Sequence, residues 1–292
     1  MSDAMRILLK QIRARMWSDS LQRRLLAARN NLSRPRSVLF FTTHKCASTF
    51  VSGPLFKTLL RESQYRHVDY GRAIWYGGNK LDPGGEYENF FSEAYSDLFS
   101  LNGNLYGPQR RFFDFPGRPE FRHIFFLRDP RDVLISSFYS EAFTHPVPPS
   151  LAAQKRLSKS RASAKEQSLD EYVLENAQSW IKPLYSQYRA ARESATDSLY
   201  LPYDLFIQDT EQFIVMLANF LGIRPRPARI DALVRSADPV QKTEVLKHKR
   251  SGRSGQYLEK LSPETVRKLN LILADALNYW EFSTGNTSEE AG

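Results

Sequence analysis

Three times along the chain, a short apolar run is followed by a polar turn and then by a helical pattern. The runs are 37–42 (SVLFFT), 121–127 (FRHIFFL) and 197–202 (DSLYLP), and the helical patterns cover 50–62, 133–143 and 210–221. Short runs rich in β-branched and aromatic residues are typical of buried parallel strands. The repeated order of strand, turn and helix therefore predicts an α/β architecture with a parallel sheet.

Length and composition fit one globular unit. The chain has 292 residues, of which 41% are hydrophobic and 25% charged, as in ordinary soluble domains. We predict a single α/β domain in three layers over 37–285, with a central parallel β-sheet flanked by helices and a phosphate-binding loop after the first strand. Residues 286–292 are predicted to form a flexible tail. The segment 146–168, rich in Pro, Ser and basic residues, is predicted to be a mobile loop.

Residues 1–36 differ from the rest in charge. They hold nine Lys or Arg against two Asp, a net +7, which leaves only +2 of the total +9 for the other 256 residues. The positions Met5, Leu8, Leu9, Ile12 and Met16 follow helical spacing. This arm is predicted to be a basic amphipathic helix that packs on its own domain or on a second subunit in a homodimer, or that rests on an anionic membrane surface. Because the basicity is confined to the arm, nucleic acid is not expected as a partner.

Cysteine and histidine usage bears on compartment and metal content. Cys46 is the single cysteine, so no internal disulfide framework is possible, and the five histidines show no metal-ligand spacing. No metal is expected. No run of 18 apolar residues and no apolar signal region occurs. These features predict a cytoplasmic protein, with a peripheral position at the inner membrane surface as the alternative suggested by the arm.

The turns after the three strands carry groups that suit phosphates. Lys45, Ser48 and Thr49 lie between the first strand and its helix, where backbone N–H groups face an anion. Arg128 follows the second strand, and an arginine there can hold a phosphate with two hydrogen bonds. Tyr203 follows the third strand and offers an aromatic ring. The alternative is a solvated lysine and charges at 128–132 that pair with one another.

The order of these motifs resembles the sulfotransferase family, which transfers a sulfuryl group from 3′-phosphoadenosine 5′-phosphosulfate (PAPS). The family's 5′-phosphosulfate loop is similar to 42–50 (TTHKCASTF), its 3′-phosphate motif to 127–133 (LRDPRDV) with Ser136, and its late loop to 249–257 (KRSGRSGQY). The resemblance covers about residues 37–280. Ala47 stands where the family commonly has glycine, and Ser251 where it often has lysine.

The resemblance implies PAPS as co-substrate, 3′-phosphoadenosine 5′-phosphate (PAP) as product, and in-line transfer to a hydroxyl or amine without a metal. It implies that Lys45 is catalytic, because it would stabilise charge on the departing PAP. The residues that it assigns to cofactor binding are Lys45, Cys46, Ala47, Ser48 and Thr49 in the first loop, Phe50 and Tyr203 at the adenine, and Arg128, Ser136, Arg250, Ser251 and Gly252 around the 3′-phosphate.

The general base is open among three residues. Family members use either a carboxylate after the first helix or a histidine before the second strand. The first position here contains His67 and Asp69, which alternation places on one side of a strand. The second position, 105–110, has no histidine. Asp69 is favoured, and His145 is a further candidate.

The acceptor is predicted only as a class. Thirteen aromatic residues between 65 and 115 form either a cleft for a sugar, a phenol or a lipid head group, or part of the core. A small-molecule, glycan or lipid acceptor is therefore expected. The alternatives for the whole chain are an ATP-dependent P-loop kinase, although the pattern GxxxxGK[ST] is absent, and a non-enzymatic module that binds anionic surfaces.

Overall fold

The central element is a five-stranded parallel β-sheet. The computed structural model describes residues 33–77, 91, 95–148, 151–237 and 252–282. Its strands lie in the order β2-β3-β1-β4-β5, and all pairs are parallel. They are β1 (Val38–Thr42), β2 (Arg66–Val68), β3 (Asn104–Gln109), β4 (Arg122–Leu127) and β5 (Asp197–Pro202). The predicted parallel sheet is confirmed, with two further strands that the apolar runs did not indicate.

Alternation along β1 divides the core between two faces. Val38 and Phe40 belong to one apolar cluster, and Leu39 and Phe41 belong to the other. All four side chains are at most 1% exposed. A strand with both faces covered is the arrangement expected when helices pack on each side of a parallel sheet. The predicted three layers are thus present.

Helices connect the strands and cover both faces. The first, α1, is a continuous helical run over 48–62 made of the segments Ser48–Phe50, Val51–Leu55, Phe56–Leu59 and Leu60–Glu62. A π-helical turn over Val51–Leu55 accommodates Pro54 inside this run. The other helices are α2 (Tyr70–Gly77), α3 (Tyr95–Leu98), α4 (Pro130–Tyr139), α5 (Leu151–Glu166), α6 (Leu169–Asn176), α7 (Lys182–Glu193), α8 (Tyr203–Gln208), α9 (Thr210–Leu221), α10 (Pro227–Ala237), α11 (Gln256–Lys260), α12 (Pro263–Ile272) and α13 (Ala274–Tyr279).

The loop predicted over 146–168 is wrong for most of that segment. Residues Leu151–Glu166 form the helix α5. The prediction gave weight to the prolines at 146–149 and to the serines, but Leu, Ala, Gln, Lys and Arg dominate 151–166 and are good helix formers. Ser168 ends the segment by capping α6, where it accepts a hydrogen bond from the backbone N–H of Glu171.

The aromatic residues between 65 and 115 contribute strongly to the core. Tyr70, Phe91, Phe99, Tyr106 and Phe113 are buried in one cluster. The core alternative is therefore correct for these residues. Trp75 is not a member of this buried cluster. Its half-buried ring lies 5.5 Å from the ring of His145. Tyr87 and Phe90 lie outside the described residues.

The two ends of the chain are described only in part. Arm residues 1–32 and tail residues 283–292 lie outside the described residues, so the predicted amphipathic helix stays a prediction. Arg36 pairs with Asn102 in an isolated bridge and donates a hydrogen bond to the carbonyl of Glu120. Within the described ranges, no helix combines the length and the apolar character needed to span a bilayer.

Candidate active site

Unsatisfied polar atoms concentrate at the carboxyl ends of three neighbouring strands. In the described part of the chain, six buried side-chain nitrogen or oxygen atoms have no hydrogen-bond partner. Four of them belong to Thr43, Gln109 and Arg128, which end or directly follow β1, β3 and β4. A buried polar atom without a partner costs about 1–3 kcal/mol. Their grouping at the edge where parallel sheets bind ligands indicates a binding site there.

The loop after β1 turns through two residues in the left-handed region. Lys45 has a φ of 66° and Ala47 a φ of 43°. Ala47 caps α1 in this conformation and occupies the position where the resemblance led us to expect glycine. Without a glycine, the loop still makes the tight turn that presents the start of α1 to the sheet edge. The first N–H groups of a helix have no partner within the helix and suit an anion.

The other predicted residues of this loop divide between core and surface. The Cys46 thiol is fully buried, lies 3.4 Å from the carbonyl of Phe126, and has its pKa raised to about 12 by burial. Only the backbone of Cys46 is therefore available to a ligand. Ser48 is half-buried and Thr49 is exposed. Phe50 packs against Phe206 with a ring distance of 5.4 Å.

Arg128 joins two loops at the end of β4. It is 3% exposed, and its guanidinium donates one hydrogen bond to the carbonyl of Lys45 at 3.3 Å and another to the carbonyl of Arg253 at 2.8 Å. It also lies 4.8 Å from the ring centre of Tyr203. Its Nε is buried without a partner. Arg128 therefore keeps a donor for a ligand while it holds the two loops together.

The alternative of mutual charge pairing within 128–132 is correct for two pairs. Arg131 is fully buried, with its guanidinium 2.6 Å from the carboxylate of Asp129 and 3.8 Å from the ring centre of Tyr257. Arg131 is therefore structural. Arg128 is farther from Asp132, at 3.8 Å. Half-buried Ser136 lies on α4.

Asp132 holds the loop before α11. Its carboxylate accepts hydrogen bonds from the backbone N–H groups of Gly255 at 2.8 Å and Tyr257 at 3.2 Å. Burial is the main cause that raises its pKa to about 6. The Ser254 hydroxyl donates a hydrogen bond to Asp204. Gly252 is half-buried, whereas Arg250 and Ser251 lie outside the described residues.

Tyrosines of α7 support these strand ends from below. The hydroxyl of Tyr188 donates to the carbonyl of Thr42 at 2.6 Å and lies 3.3 Å from the carbonyl of Gln109. The hydroxyl of Tyr185 donates to the carbonyl of Arg128. Both tyrosines are fully buried. A single helix thus fixes the ends of β1, β3 and β4.

The two candidate bases differ in what their side chains contact. The Nε2 of His67 lies 2.7 Å from the carbonyl of Gly107, and the ring packs on Phe56 at 4.9 Å. Asp69 lies just beyond the end of β2, is 3% exposed, and accepts a hydrogen bond from the backbone N–H of Arg72. Burial is the largest cause that raises the pKa of Asp69. Asp69 thus has a buried carboxyl group with a raised pKa at the sheet edge, whereas the Nε2 of His67 faces a backbone carbonyl.

Sequence reasoning missed a group of basic side chains beside Asp69. His44 keeps access to solvent but sits in a crowded, desolvated position, and desolvation together with the charges of Arg110, Arg111, His145 and Lys45 lowers its pKa to about 3. Burial lowers the pKa of His145 as well. The available signal was the pair Arg110 and Arg111, which follows the stretch that forms β3. The signal was missed because the sequence did not identify β3 as a strand.

The carboxylates that a magnesium-dependent kinase would need are engaged elsewhere. Asp129 binds Arg131, and Asp204 accepts a hydrogen bond from Ser254. Across the described ranges, no three His, Cys, Asp or Glu side chains are grouped as metal ligands would be. The arrangement instead provides cationic and N–H donors on both sides of β1.

Comparisons with known proteins agree with this geometry. The model of the sulfotransferase domain family matches residues 116–280. No curated protein matches the sequence significantly. Among solved structures, retinol dehydratase in complex with androsterone and the inactive cofactor PAP is 14% identical, with 87% of this chain and 84% of that chain covered and a TM-score of 0.55. The same protein with retinol and PAP is 14% identical over 84% and 82%, with a TM-score of 0.51.

A mouse enzyme has the same fold. Mouse sulfotransferase SULT7A1 complexed with PAP is 13% identical, with 85% of each chain covered and a TM-score of 0.55. At these identities the structural likeness shows the fold. The family model, in contrast, matches more than half of the chain by sequence. The chain belongs to the sulfotransferase family.

Proposed function

We propose that this enzyme transfers the sulfuryl group of PAPS to a hydroxyl of an acceptor, with the nucleotide lying across the carboxyl ends of β1, β4 and β5. The observation that carries the proposal is the pair of orphaned polar atoms that Thr43 and Arg128 place at the ends of β1 and β4. In the described part of the chain, the buried Nε of Arg128 has no acceptor, and a 3′-phosphate oxygen would supply one.

Each end of PAPS finds suitable groups. Lys45, Ser48 and Thr49 would hold the 5′-phosphosulfate at the start of α1, where N–H groups favour an anion. Arg128, Ser136 and the segment that contains Arg250, Ser251 and Gly252 would hold the 3′-phosphate. Tyr203, beside Arg128, and Phe50 would contact the adenine. Retinol dehydratase and mouse SULT7A1, which share the fold, are both solved with PAP.

The transfer needs positioning and charge stabilisation. The acceptor oxygen attacks sulfur, the bond between sulfur and the 5′-phosphate oxygen breaks, and PAP leaves with the additional negative charge. Lys45 stabilises that charge. Asp69 takes the proton of the acceptor hydroxyl, since a raised pKa brings a carboxyl group nearer to the working pH. His67 is the weaker choice for this role because its Nε2 already faces the carbonyl of Gly107.

The acceptor is proposed to be a small molecule, a glycan or a lipid. Its hydroxyl would approach from the side of β2 and β3, because the donor occupies the side of β4 and β5. Half-buried Trp75 and His145 are in ring contact on that side. Retinol and androsterone are present in the retinol dehydratase structures.

Calorimetric titration with PAP, ATP and 5′-AMP tests the donor site. We expect micromolar binding of PAP alone, and at least about 10-fold weaker binding by Arg128→Ala, since a charge-assisted hydrogen bond contributes about 1.5–3 kcal/mol. Arg189→Ala, which removes an exposed arginine from α7, is the matched control. Equal or tighter binding of ATP with magnesium would contradict the proposal.

Deletion of residues 1–32, which keeps the contacts of Arg36 with Asn102 and Glu120, separates this proposal from a non-enzymatic surface-binding role. This variant is expected to keep PAP binding and turnover. Vesicles of phosphatidylcholine with and without phosphatidylserine would show whether the arm contributes contact with an anionic membrane. Loss of membrane binding without loss of turnover supports catalysis as the main function.

A further inference from the structure

The side of the site opposite the donor carries an unusual excess of positive charge. The strand order β2-β3-β1 brings Asp69 after β2, Arg110 after β3 and Lys45 after β1 to the same edge. Arg111 lies beside Arg110, and Arg161 of α5 donates a hydrogen bond to the carbonyl of His145. Among the described residues, the charge of Asp69 acts on Arg110 and that of Glu141 acts on His145.

Arg110 is the central member of this group. It is half-buried and forms no ion pair with a described residue. The point that a Cβ on Gly71 would occupy is 3.4 Å from Nη1 of Arg110 and 3.5 Å from Oδ1 of Asp69. The guanidinium and the carboxylate therefore border the same small space without pairing across it. Burial of the Arg110 guanidinium is costly, and the charge of Asp69 offsets only part of that cost. Within the described residues, a further negative charge beside Arg110 would offset more of it.

Gln109 gives a second and independent sign of a ligand. Both polar atoms of its amide are buried and have no partner among the described residues. The residue directly precedes Arg110 and is 6% exposed. A primary amide that donates and accepts suits a carboxylate oxygen and a hydroxyl. Two consecutive residues at the end of β3 thus lack partners that an acidic alcohol would provide.

We propose that Arg110 binds an anionic group of the acceptor, a carboxylate or a phosphate or sulfate ester, close to the hydroxyl that Asp69 deprotonates. The inference rests on the proposed function and specifies its substrate class: the acceptor is an acidic molecule. The anion would neutralise the positive charge of Arg110, and the hydroxyl would face Asp69 and Lys45. Neutral analogues would leave the guanidinium unpaired and would therefore bind weakly.

Matched pairs of acceptors test this charge preference. One pair is 4-hydroxyphenylacetate and tyrosol, which differ by a carboxylate in place of a hydroxymethyl group. The other is methyl glucuronide and methyl glucoside. Formation of PAP from PAPS is followed with wild type, Arg110→Gln and Arg110→Lys, and with Arg189→Gln as a control for the loss of one exposed charge. The pair that the enzyme sulfates indicates whether the acidic acceptor is a phenol or a sugar.

The anionic member of at least one pair is expected to have the higher kcat/KM in wild type. Arg110→Gln should lower that value about 10- to 100-fold, because a hydrogen bond to a charged group contributes on the order of 1.5–3 kcal/mol. It should change the neutral member much less, so the ratio between the two falls. Arg110→Lys should retain part of the preference. The ratio is the readout because loss of Arg110 also alters the pKa of Asp69.

The outcomes separate this inference from the proposed function. If PAP binds to wild type and to Arg110→Gln alike, but no carboxylated probe is preferred or none is accepted, the inference is wrong and the donor site stands. The same holds if Arg110→Gln keeps the wild-type ratio. If wild type does not bind PAP, the proposed function fails and the inference fails with it.

Discussion

Asp132 accepts a hydrogen bond from the backbone N–H of Gly255 at 2.8 Å, which ties α4 to the loop before α11. The same carboxylate lies 3.8 Å from Arg128, whose guanidinium reaches the carbonyls of Lys45 and Arg253. One buried acid and one buried base therefore connect the first loop to the late loop. Their positions join the two loops of the proposed donor site into a single unit.

Asp132→Asn is expected to stabilise the fold at neutral pH. Burial raises the pKa of Asp132 to about 6, above the ordinary value of 3.8 for an aspartate. The folded state thus binds more protons than the unfolded state between about pH 4 and 6, and stability rises as the pH falls through that window. Asparagine imitates the neutral form, so its advantage should shrink from pH 7.5 to pH 5. Thermal unfolding of wild type and Asp132→Asn at several pH values across this range measures the difference in stability.

A matched variant makes the result for Asp132 interpretable. Asp209→Asn changes an aspartate that caps α9 at the surface. The difference in stability between this variant and wild type should be nearly independent of pH. A stability difference for Asp132→Asn that is constant or grows toward pH 5 would contradict the assignment. PAP affinity should fall in Asp132→Asn, because each carboxylate oxygen accepts one of the two N–H groups and an amide offers only one acceptor oxygen.

Ala47→Gly is expected to stabilise the protein by about 0.5–1 kcal/mol. Ala47 has a φ of 43°, where an L-residue is disfavoured by about 1–2 kcal/mol, and the greater freedom of glycine in the unfolded chain offsets part of the gain. Chemical denaturation measures the free energy of unfolding. Ala190→Gly, at an exposed position inside α7, should instead destabilise by about 1 kcal/mol. Equal effects of the two substitutions would be inconsistent with a left-handed Ala47.

Tyr188→Phe is expected to destabilise the protein by about 1–2 kcal/mol, because it leaves the buried carbonyl of Thr42 without its donor. PAP affinity should fall as well, since Thr42 leads into the first loop. Denaturation and calorimetry measure the two effects. In the control Tyr279→Phe, the lost hydroxyl has no hydrogen bond to a described residue, so both quantities should stay near wild type. A Tyr188→Phe protein with normal stability would argue against support of the strand ends by α7.

Asp69→Asn is expected to lower kcat by about 10²–10⁴-fold while PAP binds as in wild type. Asparagine caps a helix as well as aspartate does, so α2 should keep its start, but the amide cannot accept the proton of the acceptor. Burial raises the pKa of Asp69, and the ionised form is the base. The wild-type rate should therefore fall as the pH drops through a value above 3.8, and the variant should lack that limb. A Gln variant of His67 that loses this limb instead would transfer the role to His67.

The candidate residues of the proposed donor side could be named from sequence because their signals are local. Lys45, Arg128 and Tyr203 each follow an apolar run that ends at the same edge of a parallel sheet. The acceptor side could not, because β2 has three residues and β3 contains Gly107 and Pro108. Their pairing depends on contacts distant in sequence. Asp69 and Arg110 come to the same edge only through that pairing. Asp132 and Gly255 are also distant in sequence, and they meet through the contact of α4 with the loop before α11.

The left-handed backbone at Lys45 and Ala47 shows that the conformation of the first loop does not require a glycine in its sequence. A single nucleotide change exchanges alanine and glycine, and the backbone at position 47 accepts either residue. The sequence of such a loop can therefore drift while its geometry persists. This fits the contrast between a family match that begins at residue 116 and a structural likeness that covers 87% of the chain. Relatives whose first loop also lacks the glycine are expected to be detected more readily by comparison of backbone structures than by a sequence pattern that requires glycine.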